Sequence, residues 1–139
     1  MINYRDLRQH LQALEDENLL QRVTRPINKD TELFPLVRWQ FRGGITEQQR
    51  RGWLFENVVD SRGKKYSYAF ALGVLASSRR VYAVGLGCRD QSEILAKWET
   101  ALSKPIAPVV VDSGPVHEVV LQGEALTRED AGFASFPVP

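Results

Sequence analysis

The stretch from Gly52 to Gly87 most constrains what this chain can fold into, because two apolar segments, a charged turn and a helix follow one another closely. Residues 53–59 are rich in aromatic and β-branched side chains, which favours a buried strand. The polar run 61–65 predicts a turn. Residues 66–72 begin with polar and apolar alternation and become wholly apolar, which predicts a neighbouring strand.

A short helix is expected after this second strand. Ser77 or Ser78 is placed to cap it by accepting a hydrogen bond from a free N–H of the first turn. Gly87 then suits the left-handed conformation that commonly ends a helix. The segment is therefore expected to form the core of the domain.

Asn3 to Asn18 carries the clearest helical pattern, with Asn3 as a suitable N-cap and Asp6 adding negative charge to the first turn. Asn18 tolerates positive φ and is a plausible terminator. His10 lies beside the apolar stripe and is expected at the surface or its boundary. The stripe has the i, i+3, i+4 spacing of one helix face and consists of Tyr4, Leu7, Leu11 and Leu14.

A strand is predicted over Leu19–Thr24, and a second helix follows, capped by Asp30 or Thr31 and running to about Arg42. Pro35 is compatible with this helix only in its first turn. Gly43 and Gly44 end the helix, and residues 46–51 are expected to form an exposed loop or a single helical turn. The predicted inward face of the helix is Leu33, Leu36, Val37 and Phe41.

A third helix is expected to open at Asp90 or Gln91 and to end before Pro105. Its predicted apolar face is Ile94, Leu95, Trp98 and Leu102. Residues 109–112 and 116–123 are then predicted as two strands around a turn. The end of the chain, Pro-Val-Pro, is expected to be extended. We also expect it to be a point where a longer sequence has been cut.

These elements predict an α/β (α+β) fold in which amphipathic helices cover a small sheet. We expect residues 1–108 to form an N-terminal α/β domain. Residues 109–139 are expected to form a strand pair and an extended linker. At 139 residues the chain is long enough for one domain with a real core.

Composition narrows the class of protein. The formal net charge is only +1, so no whole-chain field steers nucleic acid or acidic lipid. The single cysteine, Cys88, excludes an internal disulfide and fits a reducing compartment. No apolar run approaches the length of a bilayer span, and the first ten residues lack the apolar core of a signal peptide. A cytoplasmic protein is the expectation.

No catalytic, cofactor-binding or metal-binding residue is predicted from the residues alone. His10, His117 and Cys88 lack the short spacing of a zinc site. The acidic clusters, at 15–17 and at 30 and 32, are better explained by helix ends and capping than by acid/base chemistry. Gly85-Leu86-Gly87 follows a helix, whereas a dinucleotide-binding glycine loop follows a strand.

The run Ser77-Ser78-Arg79-Arg80 has two interpretations. Hydroxyls and arginines at a helix N-terminus can bind a phosphate, because free N–H groups and the helix dipole point there. A serine cap followed by two solvated arginines is the simpler interpretation. Arg50-Arg51 and the cations of 62–65 would join these residues in a basic patch, but without stacking aromatics beside it the patch is weak support for nucleic-acid binding.

Four stretches together resemble the N-terminal region of the UbiD-like decarboxylases, the polyprenyl-hydroxybenzoate carboxy-lyase family. They are Asp6-Leu7-Arg8 through Leu19-Leu20-Gln21-Arg22-Val23, with Asn18 where the family has glycine; Leu54-Phe55-Glu56-Asn57-Val58; Leu72-Gly73 with Ser77-Ser78-Arg79-Arg80 and 83–87; and 105–111 with Gly114-Pro115-Val116-His117-Glu118-Val119-Val120-Leu121-Gln122-Gly123. Phe136-Pro137-Val138-Pro139 resembles the family's closing LPxP. Ala69-Phe70-Ala71 departs from its usual glycine-asparagine.

The resemblance implies the N-terminal domain or small subunit of a reversible, non-oxidative decarboxylase of aromatic or α,β-unsaturated acids. In that family, prenylated FMN, a divalent metal (manganese) and potassium bind in a split β-barrel that follows this region. The catalytic and metal-binding motifs also lie beyond it, so the resemblance carries no site residue into this chain. The implied partner is the rest of the decarboxylase, in the same or another chain, within a homo-oligomer. The alternative is a non-catalytic assembly module that binds a protein or nucleic acid through Ser77–Arg80.

Overall fold

The computed structural model describes residues 4–128 and 131–136. Its helices and strands are α1 (Leu7–Asp16), β1 (Leu20–Val23), β2 (Ile27–Asn28), a π-helical turn (Lys29–Leu33), α2 (Phe34–Arg42), β3 (Gly52–Phe55), β4 (Val58–Val59), β5 (Phe70–Leu72), α3 (Arg79–Gly85) and α4 (Ile94–Ser103). Short 3-10 turns lie at Glu47–Gln49, Gln91–Glu93, Pro115–His117, Gly123–Thr127 and Gly132–Ser135.

A mixed three-stranded sheet in the order β1-β3-β5 forms the centre of the fold. β1 and β3 run parallel, with Leu20 opposite Gly52, whereas β3 and β5 are antiparallel, with Phe55 opposite Phe70. The predicted pairing of the two central strands is therefore confirmed, and so is the α+β class. β2 and β4 form a second, parallel pair.

The strands are shorter than the apolar runs predict. The backbone N–H of Glu56 donates to the carbonyl of Val23 at 3.0 Å, and Asn57 accepts from the N–H of Ile27 at 2.9 Å. These bonds join the end of the β1–β3 pair to the start of the β2–β4 pair. The second run forms a strand only from Phe70 onwards.

Two clusters of buried apolar side chains hold the helices to the strands. Burial of such surface is the main favourable contribution to folding. One cluster includes Leu33 before α2, Val37 within it, and residues of β2, β3 and β4. The other joins α1 to α3 and comprises Leu14, Leu19, Val74 and Val81.

The first helix begins later than predicted. Asp6, not Asn3, is its N-cap, and its carboxylate accepts from the N–H of Gln9 at 3.1 Å. Asn3 lies outside the described residues. Asn18 has φ of 56°, which confirms its role as a left-handed terminator. His10 is only 5% exposed, so the expectation of a surface or boundary position is wrong.

The second helix differs at its cap and on its face. Asn28, rather than Asp30 or Thr31, caps the π-helical turn by accepting from the N–H of Asp30. Pro35 lies in the first turn of α2, as expected. Phe41 is exposed and Gln40 is buried, because the amide oxygen of Gln40 accepts from the N–H of Arg51 at 3.0 Å, just before β3.

The third long helix forms, but the described chain does not bury its predicted apolar face. Asp90 caps the turn before α4, as one of the two alternatives predicts. Within α4 no residue is fully buried. Leu95 and Leu102 are exposed, as is Trp98, whose indole N–H donates to the hydroxyl of Tyr82 at 2.7 Å.

The two strands predicted at 109–112 and 116–123 are not formed. Residues 109–112 have no strand, and Pro115–His117 is a 3-10 turn. A β-strand needs a neighbouring backbone for its hydrogen bonds, and within residues 4–128 none pairs with this segment. Residues 104–121 are exposed, apart from the half-buried Gly114. The predicted extended end, Pro137–Pro139, lies outside the described residues.

Candidate functional site

The loop from β5 to α3 holds the two serines considered for phosphate binding. The hydroxyl of Ser78 accepts from the N–H of Val81 at 3.2 Å, which makes it the helix cap. Ser77 is 1% exposed, and its hydroxyl has no hydrogen-bond partner in the described part of the chain. Ser77 is therefore a core residue rather than a surface ligand.

The chain's own carboxylates occupy the positions that a phosphate would need. The N–H of Arg79 donates to the carboxylate of Glu47 at 2.8 Å. The guanidinium of Arg80 pairs with Glu17 at 2.7 Å. This geometry favours the simpler interpretation of Ser77–Arg80, a capped helix start with paired or solvated arginines.

The cations of the predicted basic patch lie at opposite ends of the stretch that contains β3 and β4. Arg50 and Arg51 immediately precede β3, whereas the run 62–65 follows β4. The guanidinium of Arg50 lies 5.2 Å from the ring centre of Phe41, and Arg51 donates to the carbonyl of Gln48 at 2.8 Å. One continuous basic patch is therefore not formed.

A cleft of about 680 Å³ lies between α1, α3 and the turn before α4. Small and apolar side chains and an arginine–glutamate pair line it, including Ala13, Ala83, Val84, Cys88, Arg80 and Glu17. At its side, the hydroxyl of Tyr4 donates to the carbonyl of Val84 at 2.9 Å. Burial, and then the charge of Glu17, raise the pKa of Tyr4. This geometry holds the N-terminal segment against α3.

A second cleft, of about 970 Å³, combines cations, hydroxyls and two tyrosines. We call it the Tyr66 cleft, and it is lined by Lys29, Asp30, Asp60, Ser61, Arg62, Lys64, Lys65, Tyr66, Ser67, Tyr68 and Ser135. The ammonium of Lys64 lies 5.0 Å from the centre of the Tyr66 ring. Sequence reasoning missed this cleft, although the alternation of Tyr66 and Tyr68 directly after two lysines was a usable signal.

One carboxylate of the Tyr66 cleft is held by a close network. Asp30 accepts from the ammonium of Lys29 at 2.5 Å and from the N–H of Ser61 at 2.9 Å. The hydrogen bond from Lys29, and then that from Ser61, lower the pKa of Asp30 to about 2. The carboxylate therefore stays charged and attaches the 61–65 turn to the π-helical turn.

The remaining chemistry-bearing residues do not converge. His10 is buried, His117 is exposed on a 3-10 turn, and Cys88 is buried beside the first cleft. Among residues 4–128 and 131–136, no three His, Cys, Asp or Glu side chains are grouped to hold a metal ion. In the same residues no helix has the length and apolar character to cross a membrane.

No protein-family model matches this chain.

Proposed function

We propose that this chain serves as the N-terminal domain or a small subunit of a UbiD-like reversible carboxy-lyase that acts on aromatic or α,β-unsaturated acids. Its role is to pack beside the part that binds prenylated FMN. Sequence supports the proposal through the ordered resemblance of four stretches. Structure supports it through one observation, an apolar surface that the described chain leaves uncovered.

That surface begins on α4 and continues along the segment after it. Ile106 is 96% exposed and Val110 is 93% exposed. Val109, Val116 and Val119 are also exposed, in the segment that forms no strand. Large exposed apolar surface is typical of a site that another protein covers. We call residues 104–121 the exposed segment.

Backbone groups of the exposed segment support the same proposal. Few of them bond to other backbone groups within residues 4–128, and the segment contributes no ladder to either sheet. A segment with N–H and C=O groups that no neighbouring strand engages can add to the edge of another sheet once it is extended. A partner that offers such an edge would cover the apolar side chains and satisfy the backbone together.

The residues that the structure describes do not fit the metal implied by the family resemblance. A divalent metal needs several oxygen or nitrogen ligands around one point, and no such group of side chains is formed by the described residues. We therefore assign no metal-dependent step to them. Under this proposal the chemistry belongs to the rest of the enzyme, and this chain contributes a surface.

The test is reconstitution. The chain is co-expressed with a flavin-binding chain encoded beside or after it, and the two are purified through a tag on this chain alone. We expect a stable complex that releases carbon dioxide from an unsaturated acid in the presence of prenylated FMN. This chain alone should release none. Carbon dioxide release by this chain alone, or failure of every such flavin-binding chain to co-purify, would overturn the proposal.

A further inference from the structure

We propose that the Tyr66 cleft binds a nucleotide unit, as a free nucleotide or within a single strand of nucleic acid, by stacking on a tyrosine and pairing its phosphate with Arg62 and Lys65. This site is separate from the exposed segment and does not depend on the decarboxylase proposal. It also differs from the Ser77–Arg80 hypothesis, because α3 begins at the opposite end of the central strands.

The carboxylates in the cleft are already engaged by the chain. Asp30 bonds to Lys29 and to the N–H of Ser61. Asp60 accepts at 2.9 Å from the N–H groups of Arg62 and of Lys64. Both carboxylates therefore shape the turn, and they offset the surrounding cations only in part.

Two cations of the cleft remain available for a ligand. The side chains of Arg62 and Lys65 form no hydrogen bond or ion pair with any other residue in the described ranges, and both residues are exposed. Arginine presents a planar fork of donors that matches the oxygens of a phosphate. Lysine adds a mobile point charge.

Two aromatic rings lie beside these cations. Tyr68 is 61% exposed, so its ring is accessible to a ligand. Tyr66 is half-buried, and its N–H donates to the carbonyl of Val58 at 3.0 Å, which fixes its backbone against β4. The backbone of Tyr66 is thus held against β4, and its half-buried ring packs on the core, whereas the ring of Tyr68 is open to solvent.

The combination selects a ligand that is both planar and anionic. Proteins that bind single strands pair a positively charged groove with aromatic side chains on which bases stack. The sequence places two tyrosines directly after the cations of this turn, but it does not show that they share a cleft with those cations. The structure places both on the walls of one cleft.

The experiment measures binding of fluorescein-labelled single strands of eight thymidines or eight uridines to the full chain by anisotropy, at low and at moderate salt. The unlabelled strand, thymidine monophosphate, inorganic phosphate and polyphosphate are the competitors. We expect Tyr68→Ala to weaken strand binding about tenfold and Tyr68→Phe to preserve it. Arg62→Gln and Lys65→Gln should each reduce the slope of log affinity against log salt by about 0.7.

Arg79→Gln is the matched control, because it removes the same charge from the other end of the central strands. It should leave affinity and salt slope unchanged. Competition by the mononucleotide as well as by the strand identifies the nucleotide unit as the ligand, whereas competition only by a strand identifies the polymer; both results support the site. The proposal would be overturned if the labelled strand did not bind measurably, or if Arg79→Gln and Arg62→Gln lost the same affinity. It would also be overturned if polyphosphate competed as well as the nucleotide or the unlabelled strand, or if a folded Tyr68→Ala bound with full affinity.

Discussion

The imidazole Nε2 of His10 lies 2.8 Å from the carbonyl oxygen of Val74, which is 64 residues away along the chain. The bond is buried and joins α1 to the loop between β5 and α3. The ring of His10 also meets the ring of Tyr4 edge-on, with centroids 5.3 Å apart. One side chain thus connects the N-terminal helix to the loop that leads into α3.

Replacing His10 by alanine should lower the free energy of unfolding by about 2–4 kcal/mol, because the carbonyl of Val74 loses its partner and a cavity opens in the core. Urea unfolding measures this change. Arg8→Ala is the control, since the Arg8 side chain is 90% exposed on the same helix. Its effect should stay within about 0.5 kcal/mol. A similar change in both variants would mean that the buried bond contributes nothing specific.

A larger side chain at Gly52 should destabilise the fold. A Cβ at this position would lie 3.1 Å from Cα and from Cγ1 of Val74, so the backbone of the loop would have to move. Gly52→Ala should therefore destabilise the chain by about 1–3 kcal/mol. Gly114→Ala is the matched control, because nothing lies within 4 Å of its Cβ and its φ is −158°.

The free energies of unfolding of these two glycine variants come from the same urea titration. We expect the Gly114 variant to unfold with the wild type, within about 0.5 kcal/mol. If Gly52→Ala also matches the wild type, the close approach of β3 to the Val74 loop does not constrain the fold.

Local signals predicted the parts of this fold that depend on a few neighbouring residues. Ser78 caps α3, and Asn18 and Gly87 take positive φ, because each property depends on backbone geometry within one turn. The pairing of β3 with β5 was also predictable, since two apolar runs joined by a short charged turn have few other ways to be buried.

The burial of a side chain could not be predicted from local sequence where it depends on a residue far away along the chain. The pattern around His10 shows an apolar stripe, but its burial depends on Val74. Gln40 replaces Phe41 on the inner face of α2 because it bonds to Arg51. The apolar face of α4 was correctly identified as a face, yet periodicity alone does not say whether the same chain covers it.

The Tyr66 cleft also combines features that local sequence predicts with features that depend on distant residues. Its turn was predicted from the polar run 61–65, and the alternation of Tyr66 and Tyr68 was visible in the sequence. The contribution of Asp30 was not, because it comes from the π-helical turn about thirty residues earlier in the chain. Only the tertiary structure brings the two segments to one cleft.

Acid should destabilise the wild type more than Asp30→Asn. The pKa of Asp30 is lowered to about 2 in the folded chain, against about 3.9 in an unfolded one. Its contribution to stability is therefore fully present above about pH 4 and is lost as the pH falls towards 2. Urea unfolding at intervals from pH 5 to pH 2.5 should give a shallower loss for Asp30→Asn.

Lys29→Met provides the second arm of that measurement, because the ammonium of Lys29 is the largest cause of the shift. Its loss of stability with acid should also be shallower than that of the wild type. Identical slopes for all three proteins would show that the Asp30 network is not coupled to folding.

Val110→Asp should separate assembly from folding. Because Val110 is 93% exposed, the new carboxylate meets solvent in the free chain, and the free energy of unfolding should change by no more than about 0.5 kcal/mol. In the proposed complex the same position is covered, where an unpaired carboxylate is costly. Co-purification with the flavin-binding chain should fall at least tenfold.

The control is Ser113→Asp, which adds a carboxylate to the exposed segment without removing an apolar side chain. It should weaken co-purification much less. Equal co-purification of Val110→Asp and wild type would show that the exposed segment is not the assembly surface, even if a complex forms elsewhere.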